Sequence, residues 1–218
     1  NTSQAEEMAS NGYIVVAMDH SYDAALTILD EDKIIYSISK LPANDEEALQ
    51  DSMIQRVKNQ LKIRTEDVSF VIDELKIMFE KDKRFSKVAD FDNIGIFGHS
   101  FGGCTSIMSA YNDTRIDAVI GLDAYFLPLP KEIIKKDLNT PFVHLGQVSW
   151  GDSDNYEVMS ELGKSSNREF YHFAIEGSKH NDYTDFSQFT KLTRKFGSGK
   201  ISPKSIRYIM NDVMLGFF

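Results

Sequence analysis

With 218 residues, 42% of them hydrophobic, the chain can bury one sizeable core and is expected to form one domain. A formal net charge of -9 argues against nucleic acid and anionic membrane surfaces as partners, since binding to either needs a concentrated basic patch. One cysteine, Cys104, excludes an intrachain disulfide and a cysteine-rich zinc site.

In chain order, Thr2 to Ser10 suits a short helix ended by Asn11-Gly12, where glycine takes the left-handed conformation that closes helices. The chain opens without methionine on this helix-like sequence, which leads us to expect residues upstream of Asn1. No run of eighteen apolar residues and no charged-then-apolar leader is visible. Tyr13 to Met18 is continuously apolar and predicts a strand buried on both faces, as in a parallel sheet. Ala25 to Ser39 alternates weakly around Asp30-Glu31-Asp32-Lys33 and reads as a hairpin excursion. Asn44 to Leu61 and Thr65 to Lys81 read as two helices, the second capped by Thr65 with Glu66 and Asp67 in its first turn. We treat 25–81 as a largely helical excursion from the main fold.

From there strands and helices alternate. Ile94 to Phe97, Ala118 to Leu122, Phe142 to Leu145 and Phe170 to Ile175 read as strands, with helices at Phe101 to Tyr111 and Tyr156 to Leu162. Helices near Asp185 to Arg194 and Pro203 to Leu215 close the chain. This alternation predicts an α/β fold, with the sheet mostly parallel and flanked by helices.

The segment Gly98-His99-Ser100-Phe101-Gly102 follows an apolar strand and opens a helix. That context turns a Gly-x-Ser-x-Gly match into a nucleophile elbow of the α/β-hydrolase type, with Ser100 on a strained turn. The helix start aims backbone N–H groups at a reacting carbonyl, so the Phe101 amide is the expected oxyanion donor. Serine at its ordinary pKa needs a base, and there are five histidines. His144 and His172 lie inside strands and read as core or sheet-face residues; His99 is expected to point away from the serine's side of the turn. His20, after the first strand, reads as a pocket residue. His180 lies in the loop after the last strand, which in this fold faces the elbow, and is the preferred base. For the acid, pattern alone leaves three carboxylates open: Asp152 and Asp154, beyond the strand Phe142 to Leu145, and Asp123, at the end of Ala118 to Leu122.

The chain resembles the plasma-type (isoform II) platelet-activating factor acetylhydrolase family, lipid esterases of α/β-hydrolase fold. Its motifs are Gly98-His99-Ser100-Phe101-Gly102-Gly103, Gly121-Leu122-Asp123-Ala124-Tyr125, and Gly177-Ser178-Lys179-His180 leading to Asp182-Tyr183-Thr184-Asp185-Phe186. Ala9 to Val16, leading to His20, extends the likeness. The resemblance implies a triad of Ser100, Asp123 and His180. It also implies that the first strands and a second oxyanion donor lie upstream of Asn1. Tyr125 stands where the family often has tryptophan, and His20-Ser21-Tyr22-Asp23 departs from its His-Arg-Asp pattern. The implied activity is hydrolysis of carboxylic esters, on short-acyl lipids or small esters, without metal or organic cofactor. A general carboxylesterase, a dienelactone-hydrolase-like enzyme, a polyester hydrolase and a catalytically silent binding domain are the alternatives. Tyr125, Phe126 and Trp150 join His20 as pocket candidates, Phe126 and Trp150 being large loop aromatics that could contact lipid or pack on the core.

Overall fold

The computed structural model describes residues 1–30, 33–38, 51–148 and 154–218. Four strands form one parallel sheet: β3 (Ile94–His99), β4 (Ile116–Leu122), β5 (Phe142–Gln147) and β6 (Phe170–Ile175), adjacent in that order. Their side chains alternate between two cores, as a pleated strand dictates. Val119 and Phe142 join one cluster, and Ile120, Leu122, Val143 and Leu145 the other. The first core is roofed by α2 (Asp51–Lys81), α3 (Phe101–Asn112) and α5 (Asp154–Ser165), through Leu61, Val68, Cys104, Ile107, Met159 and Leu162. The short α4 (Lys131–Ile134) packs at its edge through Ile134. The opposite core is closed by α1 (Thr2–Ser10) and α7 (Pro203–Phe217), through Met8, Ile206, Met210 and Met214. Coverage on both faces explains why the central strands read as unbroken apolar runs. Among the described residues, no helix is long and apolar enough to cross a membrane.

The caps follow the sequence closely. Helix α1 ends with Gly12 at φ +95°. The Gly12 amide donates to the Ala9 carbonyl at 3.1 Å and the Tyr13 amide to the Met8 carbonyl at 3.2 Å, the paired bonds of a left-handed glycine cap. At its start, Asp185 accepts from the Thr2 amide at 2.6 Å and the Ser3 amide at 3.2 Å. A distant carboxylate therefore satisfies the first amides of α1.

Four sequence expectations are corrected. Tyr13 to Met18 forms no strand with the described residues; Tyr13, Ile14 and Val16 are 39%, 41% and 44% exposed. Its apolarity acts through packing instead, Val15 reaching one core and Met18 the other. Apolar content draws a segment onto the core, but a strand also needs a neighbour to pair its backbone. The second correction concerns Thr65, which does not start a helix, because α2 runs unbroken from Asp51 to Lys81. Its hydroxyl donates to the Lys62 carbonyl one turn back, at 2.8 Å. The same side chain that could cap a helix is thereby accommodated inside one, and no glycine or proline interrupts the run. Residues 44–50 of the expected first helix lie outside the described residues. Third, the front of the 25–81 excursion is not helical. It is an antiparallel pair, β1 (Leu26–Asp30) and β2 (Lys33–Tyr36), with Thr27 opposite Ile35 on its buried side, as the weak alternation there suggested. Lastly, the helix expected at Asp185 to Arg194 is split. Thr190 is extended, between α6 (Phe186–Phe189) and a 3-10 turn at Lys191–Phe196, and its hydroxyl accepts from the Leu192 amide.

Helix α2 is tied to the start of β4 by Asp113. Its carboxylate accepts from the Arg115 guanidinium at 2.6 and 2.8 Å and from the Ser69 hydroxyl at 2.8 Å. The Arg115 hydrogen bond, against burial and aided by Ser69, brings Asp113 down from 3.8 to about 2. A lowered folded value means stabilisation that is present above 3.8 and lost as the pH falls through about 2. Arg115 is 36% exposed, so solvent screens part of the interaction. We predict that Asp113→Asn costs about 1 kcal/mol at pH 7, and that urea denaturation at pH 3 shows a smaller gap. An equal gap at both pH values would contradict the assignment.

Candidate active site

Strand β3 delivers the chain to Ser100, which sits at φ 56° and ψ -120° immediately before α3. A non-glycine residue held at positive φ is strained, so its surroundings must over-determine it. They do so from three sides. The Ser100 amide donates to the Leu122 carbonyl at 3.0 Å; the Ser100 carbonyl accepts from Gly103 at 3.0 Å and from Tyr125 at 3.0 Å. Glycine is required at 98, because a Cβ there would lie 2.3 Å from the Gly102 carbonyl carbon. Phe101 is the first residue of α3, so its amide has no acceptor within the helix and is free to face a ligand oxygen.

Strand β4 ends beside the elbow and turns sharply at Asp123, another non-glycine residue at positive φ, 44°. This turn is held by its neighbours. The Asp123 amide donates to the Leu145 carbonyl at 2.6 Å, and the Ala124 amide to His144 Nε2 at 3.1 Å. Asn155 accepts from the Phe126 amide at 2.6 Å and donates to the Ala124 carbonyl at 3.0 Å. The carboxylate of Asp123, 1% exposed, accepts from the Gln147 amide at 2.9 Å and from its side-chain Nε2 at 2.8 Å.

His180 comes from the loop after β6. Gly177 turns that loop at φ +74°, and the Asp182 carboxylate ties it down by accepting from the Lys179 amide at 2.9 Å and the Gly199 amide at 2.6 Å. His180 Nδ1 lies 2.6 Å from Asp123 Oδ2, and Nε2 lies 3.0 Å from Ser100 Oγ. The carboxylate only accepts, so the proton is on Nδ1 and the Nε2 lone pair faces the serine hydroxyl. The structure thus brings Ser100, His180 and Asp123 together. Asp154 is exposed at the start of α5, and Asp152 lies outside the described residues.

The other candidates divide. Tyr125 is half-buried beside the elbow, its amide bound to the Ser100 carbonyl. His20 lines a cavity of about 300 Å3 with Tyr22, Ile38, Arg56, Ile63 and Arg64; its Nδ1 is 2.8 Å from Asp67. Arg64 on its lining places its guanidinium 4.6 Å from the centre of the Phe101 ring; Ser100, Asp123 and His180 are not among the residues that line it. Phe126 is no pocket residue. It is fully buried against Phe142 and His144, because its backbone is pinned by Asn155 in the core. Trp150 lies outside the described residues.

His99 also departs from expectation. Its ring packs on His180 with centres 4.4 Å apart, and its Nε2–H donates to the His180 carbonyl at 3.0 Å. Burial, followed by charge on His180, holds His99 down to about 3, which favours the neutral ring in this contact. His144 is the buried core residue expected, held neutral first by burial and then by His172. The roles of His99, Asn155 and Gln147 gave no sequence signal, since each arises from a neighbouring element's register. Among the described residues, no group of three His, Cys, Asp or Glu side chains is arranged to hold a metal ion.

Comparison with known proteins bears on this arrangement. The platelet-activating factor acetylhydrolase of Gallus gallus is 25% identical over 239 residues, covering 97% of this chain and 56% of that protein. The Canis lupus familiaris enzyme of the same name is 25% identical over 225 residues, covering 89% and 45%. A probable 1-alkyl-2-acetylglycerophosphocholine esterase of Arthroderma benhamiae is 25% identical over 194 residues, covering 85% and 44%. The chain spans about half the length of these curated relatives. Among solved structures, a ferulic acid esterase from Streptomyces cinnamoneus superposes with a TM-score of 0.75 at 22% identity, covering 98% of this chain and 60% of that one. A dienelactone hydrolase-like promiscuous phosphotriesterase from metagenomic libraries gives 0.55 at 11%, covering 78% and 68%. These two share the α/β-hydrolase fold. The family model described as platelet-activating factor acetylhydrolase, isoform II, matches residues 2–218. The chain therefore belongs to the isoform II platelet-activating factor acetylhydrolase family.

Proposed function

We propose that this protein hydrolyses carboxylic esters, with short-acyl lipids or small esters as substrates, through Ser100, His180 and Asp123. The reading rests on one observation above all: His180 bridges Ser100 Oγ, at 3.0 Å, and the buried Asp123 carboxylate, at 2.6 Å. Membership of the family and the names of the relatives favour ester substrates.

The steps follow from the protonation just argued. His180 Nε2 takes the Ser100 proton as Oγ bonds to the ester carbonyl carbon, and the carbonyl oxygen gains charge against the Phe101 amide. Asp123 stabilises the imidazolium that results. His180 then gives its proton to the leaving alkoxide, and the C–O bond to the alcohol breaks. Water, deprotonated by His180, attacks the acyl-enzyme and releases the acid, returning the proton to Ser100. No step calls for a metal or an organic cofactor.

The test is covalent capture of the natural full-length protein with a fluorophosphonate, followed by peptide mapping. The adduct is expected on Ser100. Labelling elsewhere, or none on folded protein, would refute the triad. A series of esters of rising acyl length then tests the substrate class, and clear preference for long acyl chains or polyesters would count against short-acyl substrates.

A further inference from the structure

We propose that Gln147 is a positioning residue that sets the orientation and charge of the triad acid. The inference rests on the triad reading above and adds a residue that lies in none of the motifs behind it. Its basis is the register of β4 and β5. These strands are parallel with Leu122 opposite Leu145, and the Asp123 amide crosses to the Leu145 carbonyl at 2.6 Å. The turn after β4 therefore leans over the end of β5. There the next outward position belongs to Gln147, 7% exposed.

Gln147 grips both carboxylate oxygens. Its amide donates to Oδ1 at 2.9 Å and its Nε2 to Oδ2 at 2.8 Å. The Oδ2 atom is the one that faces His180 Nδ1. A neutral amide is suited to this place: it supplies a donor to a buried anion without a second charge that would compete with the imidazolium. The hydroxyl of Tyr156 donates to the Gln147 main-chain carbonyl and so fixes the residue from behind. Burial, then Asp123, pushes that phenol up, so it stays a donor.

Donors to an ionised carboxylate favour the ionised form. Without the Nε2 bond, a proton binds the Asp123–His180 pair more readily, whichever member carries it. Gln147→Met keeps the side-chain length and the backbone donor but removes Nε2. The expected result is an acid limb of kcat/KM for 4-nitrophenyl acetate displaced upward by about one pH unit, with the rate of fluorophosphonate labelling following the same shift. A lower kcat with an unmoved acid limb would reduce Gln147 to a packing residue and overturn the proposal. If the Met variant does not fold, Gln147→Glu decides. Its carboxyl donates to Oδ2 only while protonated, so the profile must gain a proton-linked step that the parent lacks, and an unaltered profile overturns the proposal. Absence of Ser100 labelling in the parent protein is a different outcome, and it would remove the triad itself.

Discussion

Ser100→Ala and His180→Ala are each expected to lower kcat for a soluble ester such as 4-nitrophenyl acetate by about a millionfold, and the double variant by little more. In the proposed mechanism the serine supplies the electrons that bond to carbon, and the imidazole is the base within hydrogen-bond reach of Oγ among the described residues. Neither is useful without the other, which is why the losses do not add. What remains in either variant is binding and the Phe101 amide. Steady-state kinetics on folded protein, with circular dichroism as the check on folding, measures the effect. A Ser100→Ala enzyme that keeps a tenth of its activity would mean that the reaction runs elsewhere.

Asp123→Asn is the second large effect, expected to lower kcat by about ten-thousandfold at pH 7. The replacement has the same shape, so the turn at φ 44° and its backbone bonds to Leu145 and His144 can persist. The chemistry cannot. An amide nitrogen in place of Oδ2 would confront two donors, Gln147 Nε2 and His180 Nδ1. The conflict with His180 is relieved if the ring moves its proton to Nε2 and accepts at Nδ1, and that with Gln147 if its side-chain amide turns over to present Oε1. Its lone pair then no longer faces the serine. Slow fluorophosphonate labelling in a folded variant is the measurement. Asp152→Asn and Asp154→Asn serve as comparisons and should stay within about threefold; a larger loss from either than from Asp123→Asn would reassign the acid.

The elbow at Ser100 is legible in the sequence because everything needed to make it is local: an apolar strand, two glycines around a serine, and a helix start. His180 was nearly as legible, since chain order and a loop after the last strand place it. Asp123 is not singled out by pattern, because three carboxylates follow strand ends; the crossing of the β4 turn onto β5 is what brings it to His180, Asp154 is exposed, and Asp152 lies outside the described residues. The resemblance to a family supplied that choice. The surroundings of His99 and Phe126 are hidden from pattern for a related reason. Whether a side chain at a turn meets a pocket, a core or a ring from another loop depends on what the rest of the chain brings alongside. The elements that sequence placed best, such as β6 and α7, carry their own period and caps. Those it placed worst, at Tyr13 to Met18 and around Thr65, depend on a pairing partner or on which of two hydrogen bonds a threonine makes.

The contact between the elbow and the acid turn has a consequence for how such an enzyme can change. A Cβ on Gly103 would stand 2.6 Å from the Cβ of Ala124, and the Tyr125 amide is bonded to the Ser100 carbonyl. Ser100 and Asp123 are thus carried on one interlocked block, with no slack between the two loops. The wall containing His20, Tyr22, Ile38 and Arg64 is built from other segments. Residues there other than Arg64, whose guanidinium lies over the Phe101 ring, are open to exchange without disturbing that block, so under the proposed function a new ester preference could be acquired by rebuilding the wall alone.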